Sequence, residues 1–211
     1  MTARSVSFAF LCEGSSDTGL IAHLETLLVY FGAQEATGMP DTRKGTIPAR
    51  LRQLLTEGTE AGIDMVFIHR DSDSPDREGR EREIRRGIEE SGFPHPFIPV
   101  IPVQETEAWL LLDEQAIRDV VACPKGKQPL KLPKPNAIEG TRNPKEILQK
   151  ALLAASRASG RRLKKEKNSF SRHRKVLLQR LDPFGAVRDL PSWQCLERDI
   201  KRALEQLENQ N

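Results

Sequence analysis

A chain of 211 residues, 37% of them hydrophobic and 30% charged, carries enough apolar material for a core and has no stretch near the roughly 18 apolar residues of a membrane span. The run Val6–Cys12 passes directly into Glu13 with no small-residue cleavage site, which argues against a secretory leader. Three cysteines without a C-x-x-C pair exclude a disulfide framework and a zinc ribbon, and they fit a reducing, cytoplasmic setting. The net charge of +3 hides a local concentration: from Arg157 to Lys175, nine Lys or Arg residues stand against the single acid Glu166. An acidic partner reads local charge of this kind.

In chain order, Ser5–Cys12 is an apolar run of the kind found in buried parallel strands, with Cys12 as a small buried hydrophobe. Asp17 to Phe31 has helical spacing, with Ile21, Leu24, Leu27 and Leu28 on one face. Asp17 sits near its start, where a carboxylate suits the helix dipole. Positions 32–46 look like a loop, punctuated by Gly38-Met39-Pro40. Pro48 opens a second helix through Leu51, Leu54 and Leu55, ended by Gly58 and Gly62. Asp64–His69 is a second strand, Asp71–Asp76 a loop, and Arg77–Ser91 a charge-dense, mostly solvent-facing helix. Phe97–Pro102 is a third strand, and Glu105–Asp113 begins a helix carrying Trp109. This alternation predicts an α/β fold with a mostly parallel sheet and right-handed crossovers.

Composition changes after Val121. The stretch from Cys123 to Pro144 has five prolines and four lysines and reads as a linker or basic flap. Pro144–Ser159 is a helix, and Arg161–Lys175 is the basic segment, either a solvated face or a partly disordered arm that tracks phosphates. Val176–Leu181 is a short apolar helical stretch. A last helix starts at Ser192-Trp193 and repeats Leu196, Ile200, Ala203, Leu204 and Leu207. The predicted organisation is residues 1–121 as one α/β unit, 122–144 as the linker, and 145–211 as a helical part with its basic segment at 157–175.

The chemistry gathers where apolar runs end in carboxylates. Glu13 follows the first strand, and Asp71 and Asp73 follow the second. Carboxylates at strand ends sit where open α/β sheets build their sites. Three such groups without matched local cations call for a divalent ion, and all-oxygen ligands favour Mg²⁺ or Mn²⁺ over Zn²⁺. Glu13 is otherwise a turn acid, and Asp71 and Asp73 are otherwise Asx-turn or capping residues, with Asp76 better placed to cap. A D-x-D in an extended turn puts both side chains on one side. Asp17 is close enough to Glu13 to be a fourth ligand, or else a first-turn dipole acid. Trp109 and Trp193 read as core residues, and His69 as a structural hydrogen bonder.

These residues carry a resemblance. Glu13-Gly14 after the first strand and Asp71-Ser72-Asp73 after a later one resemble the Toprim domain, the metal-binding fold of topoisomerases, bacterial primases and OLD-family nucleases. With Glu13-Gly14-Ser15-Ser16-Asp17 and the segment Glu105-Thr106-Glu107-Ala108-Trp109-Leu110-Leu111-Leu112-Asp113, positions 5 to 115 look like the small Toprim-like proteins grouped as DUF4276. The resemblance implies a Rossmann-like Toprim fold in which Glu107, with Glu105 in reserve, is a further functional acid. Glu13 is then a ligand or a general base or acid. It also implies a separate ABC-type ATPase partner in a phage-defence or toxin-like system.

The expected function is a Mg²⁺- or Mn²⁺-dependent nuclease. Its catalytic residues would be Glu13, Asp71, Asp73 and Glu107, and its ligands Glu13, Asp17, Asp71 and Asp73. Arg161, Arg162, Lys164, Lys165, Arg172 and Lys175 would lie on DNA or RNA backbone, with Lys131 or Lys134 offsetting charge at the reacting phosphorus. A non-catalytic interaction module is the alternative, and an enzyme acting on a small nucleotide a third reading that the basic segment disfavours. Topoisomerase chemistry needs a tyrosine, and the sole one, Tyr30, reads as packed. No G-x-x-x-x-G-K-[ST] motif is present, so the chain has no ATPase of its own.

Overall fold

The computed structural model describes residues 4–57 and 62–209. Four strands, β1 (Ser5–Leu11), β2 (Glu35–Asp41), β3 (Met65–His69) and β4 (Phe97–Val100), form one all-parallel sheet in the order β2-β1-β3-β4. The helices are α1 (Ile21–Tyr30), α2 (Ile47–Thr56), α3 (Arg77–Ser91), α4 (Glu107–Leu110), α5 (Glu114–Val120), α6 (Pro144–Ser156), α7 (Gly160–Asn168), α8 (Phe170–Gln179) and α9 (Pro191–Asn209). β3 is buried at every position, as a strand covered on both faces must be. Val6, Phe8, Phe10 and Cys12 pack with α1 and the C-terminal helices, whereas Ala9 and Leu11 pack with Ile47, Leu51 and Leu54 of α2 and Ile84 of α3. Layers of helix on both faces of a parallel sheet make the fold Rossmann-like. No helix among the described residues is long and apolar enough to cross a membrane.

Local chemistry explains several element boundaries. Thr46 accepts a hydrogen bond from the Ala49 amide at the start of α2, and Pro48 sits in its first turn. Asp76 accepts from the Gly79 amide at the start of α3, and Gly92, at φ 68°, ends that helix in the left-handed conformation. The two tryptophans tie the halves of the chain together. Trp109 and Trp193 are buried edge-to-face at 4.9 Å, and the Trp109 indole donates to Ser192 Oγ at 3.1 Å.

The structure corrects some expected elements. The segment expected to be a loop contains β2, an edge strand in register with β1 from Ser5↔Glu35 to Leu11↔Asp41. Pro40 is tolerated because an edge strand needs a ladder on one side only. Gly38 is required by packing, since a Cβ there would lie 2.4 Å from the Phe8 ring and 2.6 Å from Ile21 Cγ2. The helix expected from Glu105 to Asp113 is one turn, α4, and Asp113 then caps α5 by accepting from the Ala116 amide at 2.8 Å. α6 stops at Ser156, where Arg157 turns left-handed at φ 52°. The basic segment is two helices, α7 and α8, in place of a disordered arm, and α8 absorbs most of the short apolar stretch expected after it. Tyr30 is 56% exposed, against Phe31 and Phe184, at the C-terminal end of α1. Gly58, expected to end the second helix, lies outside the described residues.

Candidate functional site

The chain leaves β1 for β2 on one side, then crosses back to place β3 on the other. The connections therefore diverge at the carboxyl ends of β1 and β3, the topological switch point where open α/β sheets hold ligands. Glu13 follows β1 and Asp71 follows β3. The loop after β3 continues pairing with the one after β4 through Arg70 N to Val100 O (3.1 Å), Ser72 N to Pro102 O (3.1 Å) and Asp73 N to Gln104 O (2.9 Å). This zipper delivers Thr106, whose amide and hydroxyl both donate to Asp71 Oδ1 at 2.9 Å. Glu13 Oε2 accepts from the Asp71 amide at 3.2 Å, and its Oε1 pairs with Arg70 at 2.8 Å.

Beneath these lie two buried acids, Asp17 and Glu107, 5% and 3% exposed. Asp17 is held by a 3-10 turn over Ser15–Leu20 and accepts from the Gly14 amide at 3.2 Å, while Glu107 opens α4. One guanidinium bridges them. Arg174, on α8, donates through Nη2 to Asp17 Oδ1 at 2.7 Å, through Nε to Glu107 Oε1 at 2.8 Å, and through Nη1 to the Ser16 carbonyl at 3.2 Å. In the sequence Arg174 is only one of nine basic residues in its segment. It occupies a position on the face of α8 that includes buried Leu177 and Leu178 and half-buried Phe170. A charged residue at an apolar-face position is the signal that finds it.

The expectation of carboxylates without local cations does not hold. Glu13 pairs with Arg70, Asp17 and Glu107 with Arg174, and Asp73 with Arg80 at 2.6 Å. Asp73 also parts from Asp71. Its backbone is left-handed at φ 54°, which breaks the extended D-x-D geometry, and its side chain is 65% exposed. Glu105 caps α6 by accepting from the Lys145 amide at 3.0 Å. Lys131 and Lys134 are exposed and, among the described residues, make no hydrogen bond or ion pair with the cluster. Asp71 is the one acid of the cluster without an arginine or lysine ion pair among the described residues.

That isolation has an electrostatic consequence. Burial pushes the Asp71 carboxyl from 3.8 to about 7; the Thr106 hydrogen bonds oppose this, and the neighbouring charges of Glu107, Glu13 and Asp17 add to it. Burial lowers His69 to about 4, so its ring is neutral. His69 Nε2 lies 2.9 Å from Thr106 Oγ, whose proton goes to Asp71, so that oxygen accepts from Nε2–H. His69 Nδ1 is then a bare acceptor, buried without a hydrogen-bond partner and 4.0 Å from Asp17 Oδ2. Burial opposes the charge of Arg174, and Glu107 and Asp17 more than offset it, holding the guanidinium firmly protonated. No three His, Cys, Asp or Glu side chains among the described residues are set to hold a metal between them. A cation here would rest on Glu13 and Asp71, with water and substrate oxygens completing its shell, a coordination Mg²⁺ accepts readily.

The six cations expected to meet nucleic acid, Arg161, Arg162, Lys164, Lys165, Arg172 and Lys175, are all exposed on α7 and α8. None has a salt bridge among the described residues. Arg172 and Lys175 share α8 with Arg174 and are exposed, whereas Arg174 is buried.

No curated protein and no solved structure matches the chain. A family model described as "Domain of unknown function (DUF4276)" matches residues 12–201, extending past the first half of the chain through α7 and α8 into α9. Glu13, Asp71, Glu107 and the Arg174 that bridges the buried acids all fall inside that span, and the chain belongs to the DUF4276 family.

Proposed function

We propose that this protein is a Mg²⁺- or Mn²⁺-dependent phosphodiester hydrolase acting on nucleic acid, built on a Toprim-like sheet. The observation that carries the reading is α8, which puts Arg174 into the acid cluster while Arg172 and Lys175 lie exposed beside it. In this reading a polyanion held by the exposed cations of α7 and α8 extends to the carboxylates at the ends of β1 and β3. Glu13 and Asp71 are the ligands of choice, and the high Asp71 pKa marks a carboxylate that awaits a positive partner. A divalent ion bound there supplies Lewis-acid activation of water and of the scissile phosphate. The chain's own residues do the rest. Thr106 orients Asp71, Arg70 orients Glu13, Arg174 fixes the two buried acids, and the basic helices hold the backbone by phosphate contacts independent of sequence.

The test is cleavage of single- and double-stranded DNA and RNA with Mg²⁺ or Mn²⁺, comparing the native protein with Glu13→Gln and Asp71→Ala. Loss of cleavage in both variants with an unchanged circular dichroism spectrum is expected. Absence of cleavage by the native protein on all substrates, or full activity in Asp71→Ala, refutes the reading. One observation favours a second reading, a non-catalytic module that docks a partner such as a separate ABC-type ATPase. Asp17, Glu107 and Asp73 are each engaged by arginine, as structural acids are.

A further inference from the structure

We propose that the groove between α2 and α3 is the subsite for one unpaired nucleotide of the substrate, which is therefore single-stranded nucleic acid. This rests on the hydrolase reading above and specifies its substrate. α2 and α3 cover the face of the sheet opposite the one packed by α1 and the C-terminal helices. α2 follows β2 and α3 follows β3 in an all-parallel sheet, so both helices begin at the carboxyl edge, where Glu13 and Asp71 stand. The groove between them has a volume of about 770 Å³, within the roughly 300–1,000 Å³ usual for ligand sites. Arg70 stands in its wall and holds both Glu13 Oε1, at 2.8 Å, and Glu83 Oε1, at 3.0 Å. The groove and the carboxylate site thus share one side chain. α2 and α3 meet at Gly87, where a Cβ would lie 2.7 Å from Ile47 Cγ2, and this contact fixes the spacing of the two walls.

The lining has two chemistries. Three cations, Arg70, Arg82 and Arg86, stand against two acids, Glu83 and Glu90. Arg86 is taken up by Glu90 at 2.6 Å. Arg82 is not taken up in this way. Its side chain is 68% exposed, its acids Glu78 and Asp76 lie at 3.6 and 3.8 Å, and it makes no hydrogen bond among the described residues. Arg70 Nε is also without a hydrogen-bond partner. Guanidinium donors left unfilled in a groove wall suit a phosphate, with which arginine makes charge-assisted hydrogen bonds. The other wall is the start of α2, where Ile47 and Pro48 present apolar surface. A phosphate beside a ring that needs apolar cover is a nucleotide. Bases paired inside a duplex cannot enter such a groove without leaving the stack, so the strand that fits is unpaired.

The experiment measures binding of an oligothymidine strand, and of its duplex with oligoadenine, to the full chain in chelator by fluorescence anisotropy. The same strand, carrying 4-thiothymidine at each position in turn, is then cross-linked by light and the cross-links are mapped by mass spectrometry. Cross-links should fall in residues 45–48 or 79–90. Arg82→Gln, which removes no hydrogen bond of the fold, should weaken single-strand binding about tenfold, as loss of a charged hydrogen bond does. Arg82→Lys should recover part of that loss, and neither variant should change duplex binding by more than about twofold at physiological salt, where an exposed charge is screened. Cross-links confined to α7 and α8, or equal weakening on strand and duplex, overturns the groove assignment. Cleavage with Mn²⁺ is scored separately. Binding in the groove without cleavage refutes the hydrolase reading and leaves a nucleotide site, whereas cleavage with cross-links elsewhere overturns the groove alone. No binding of the single strand by the native protein overturns both.

Discussion

Replacing Asp71 with Asn should stabilise the metal-free protein. The folded state raises this carboxyl from 3.8 to about 7, chiefly by burial. An acid whose folded pKa is raised loses stability as pH climbs from the unfolded value to the folded one, and the loss is complete above the folded value. The span from 3.8 to about 7 corresponds to about 4 kcal/mol. With the side chain 21% exposed, solvent screening cuts this to about 2 kcal/mol. Asn at 71 retains an oxygen to accept from the Thr106 amide and hydroxyl, so those bonds survive. Thermal unfolding in chelator at pH 8 should therefore show Asp71→Asn melting about 4–8 °C above the native protein, given the usual scaling for a chain of this size. At pH 5 the gap should fall to less than half, because the native carboxyl is protonated in the folded state. Added Mn²⁺ should raise the native midpoint and leave the variant's nearly unmoved. Equal melting at pH 8, or the same gap at both pH values, would refute the assignment of Asp71 as a half-buried acid without an arginine or lysine partner.

Substituting Arg161, Arg162, Lys164 and Lys165 with Gln should weaken binding to DNA or RNA of any sequence. It should also flatten the salt dependence on duplex DNA by about 0.9 in logarithmic slope for each phosphate no longer neutralised, measured by fluorescence anisotropy across ionic strengths. An unchanged slope would make α7 an ordinary solvated face. Gly38→Ala should destabilise by about 1–3 kcal/mol in urea unfolding, because the added methyl meets the Phe8 ring and Ile21 in a packed layer. A neutral result would mean that the edge strand β2 can move away from β1 at little cost.

The sequence by itself determined the central strands and the acids at their ends. Residues 8–11 of β1 and 65–68 of β3 are continuous apolar runs because both faces are covered there, and that pattern, with Glu13 and Asp71 close behind it, is visible without a structure. The two tryptophans were also legible as core residues, since large apolar side chains at helical spacing have few other uses. β2 was hidden because its signature is cross-strand: Gly38 and Pro40 read locally as a turn, and only the Phe8 ring opposite and the one-sided ladder of an edge make them strand residues. The state of the acids was decided by the tertiary structure alone. Asp73 leaves the cluster through one left-handed backbone angle, and Asp17 and Glu107 are neutralised by an arginine more than sixty residues away from either of them in sequence. Charge compensation acts through space over a few ångströms, so a motif of neighbouring residues records which acids are present, and the packing of α8 against the Ser15–Leu20 turn and α4 decides which of them remains without a cation.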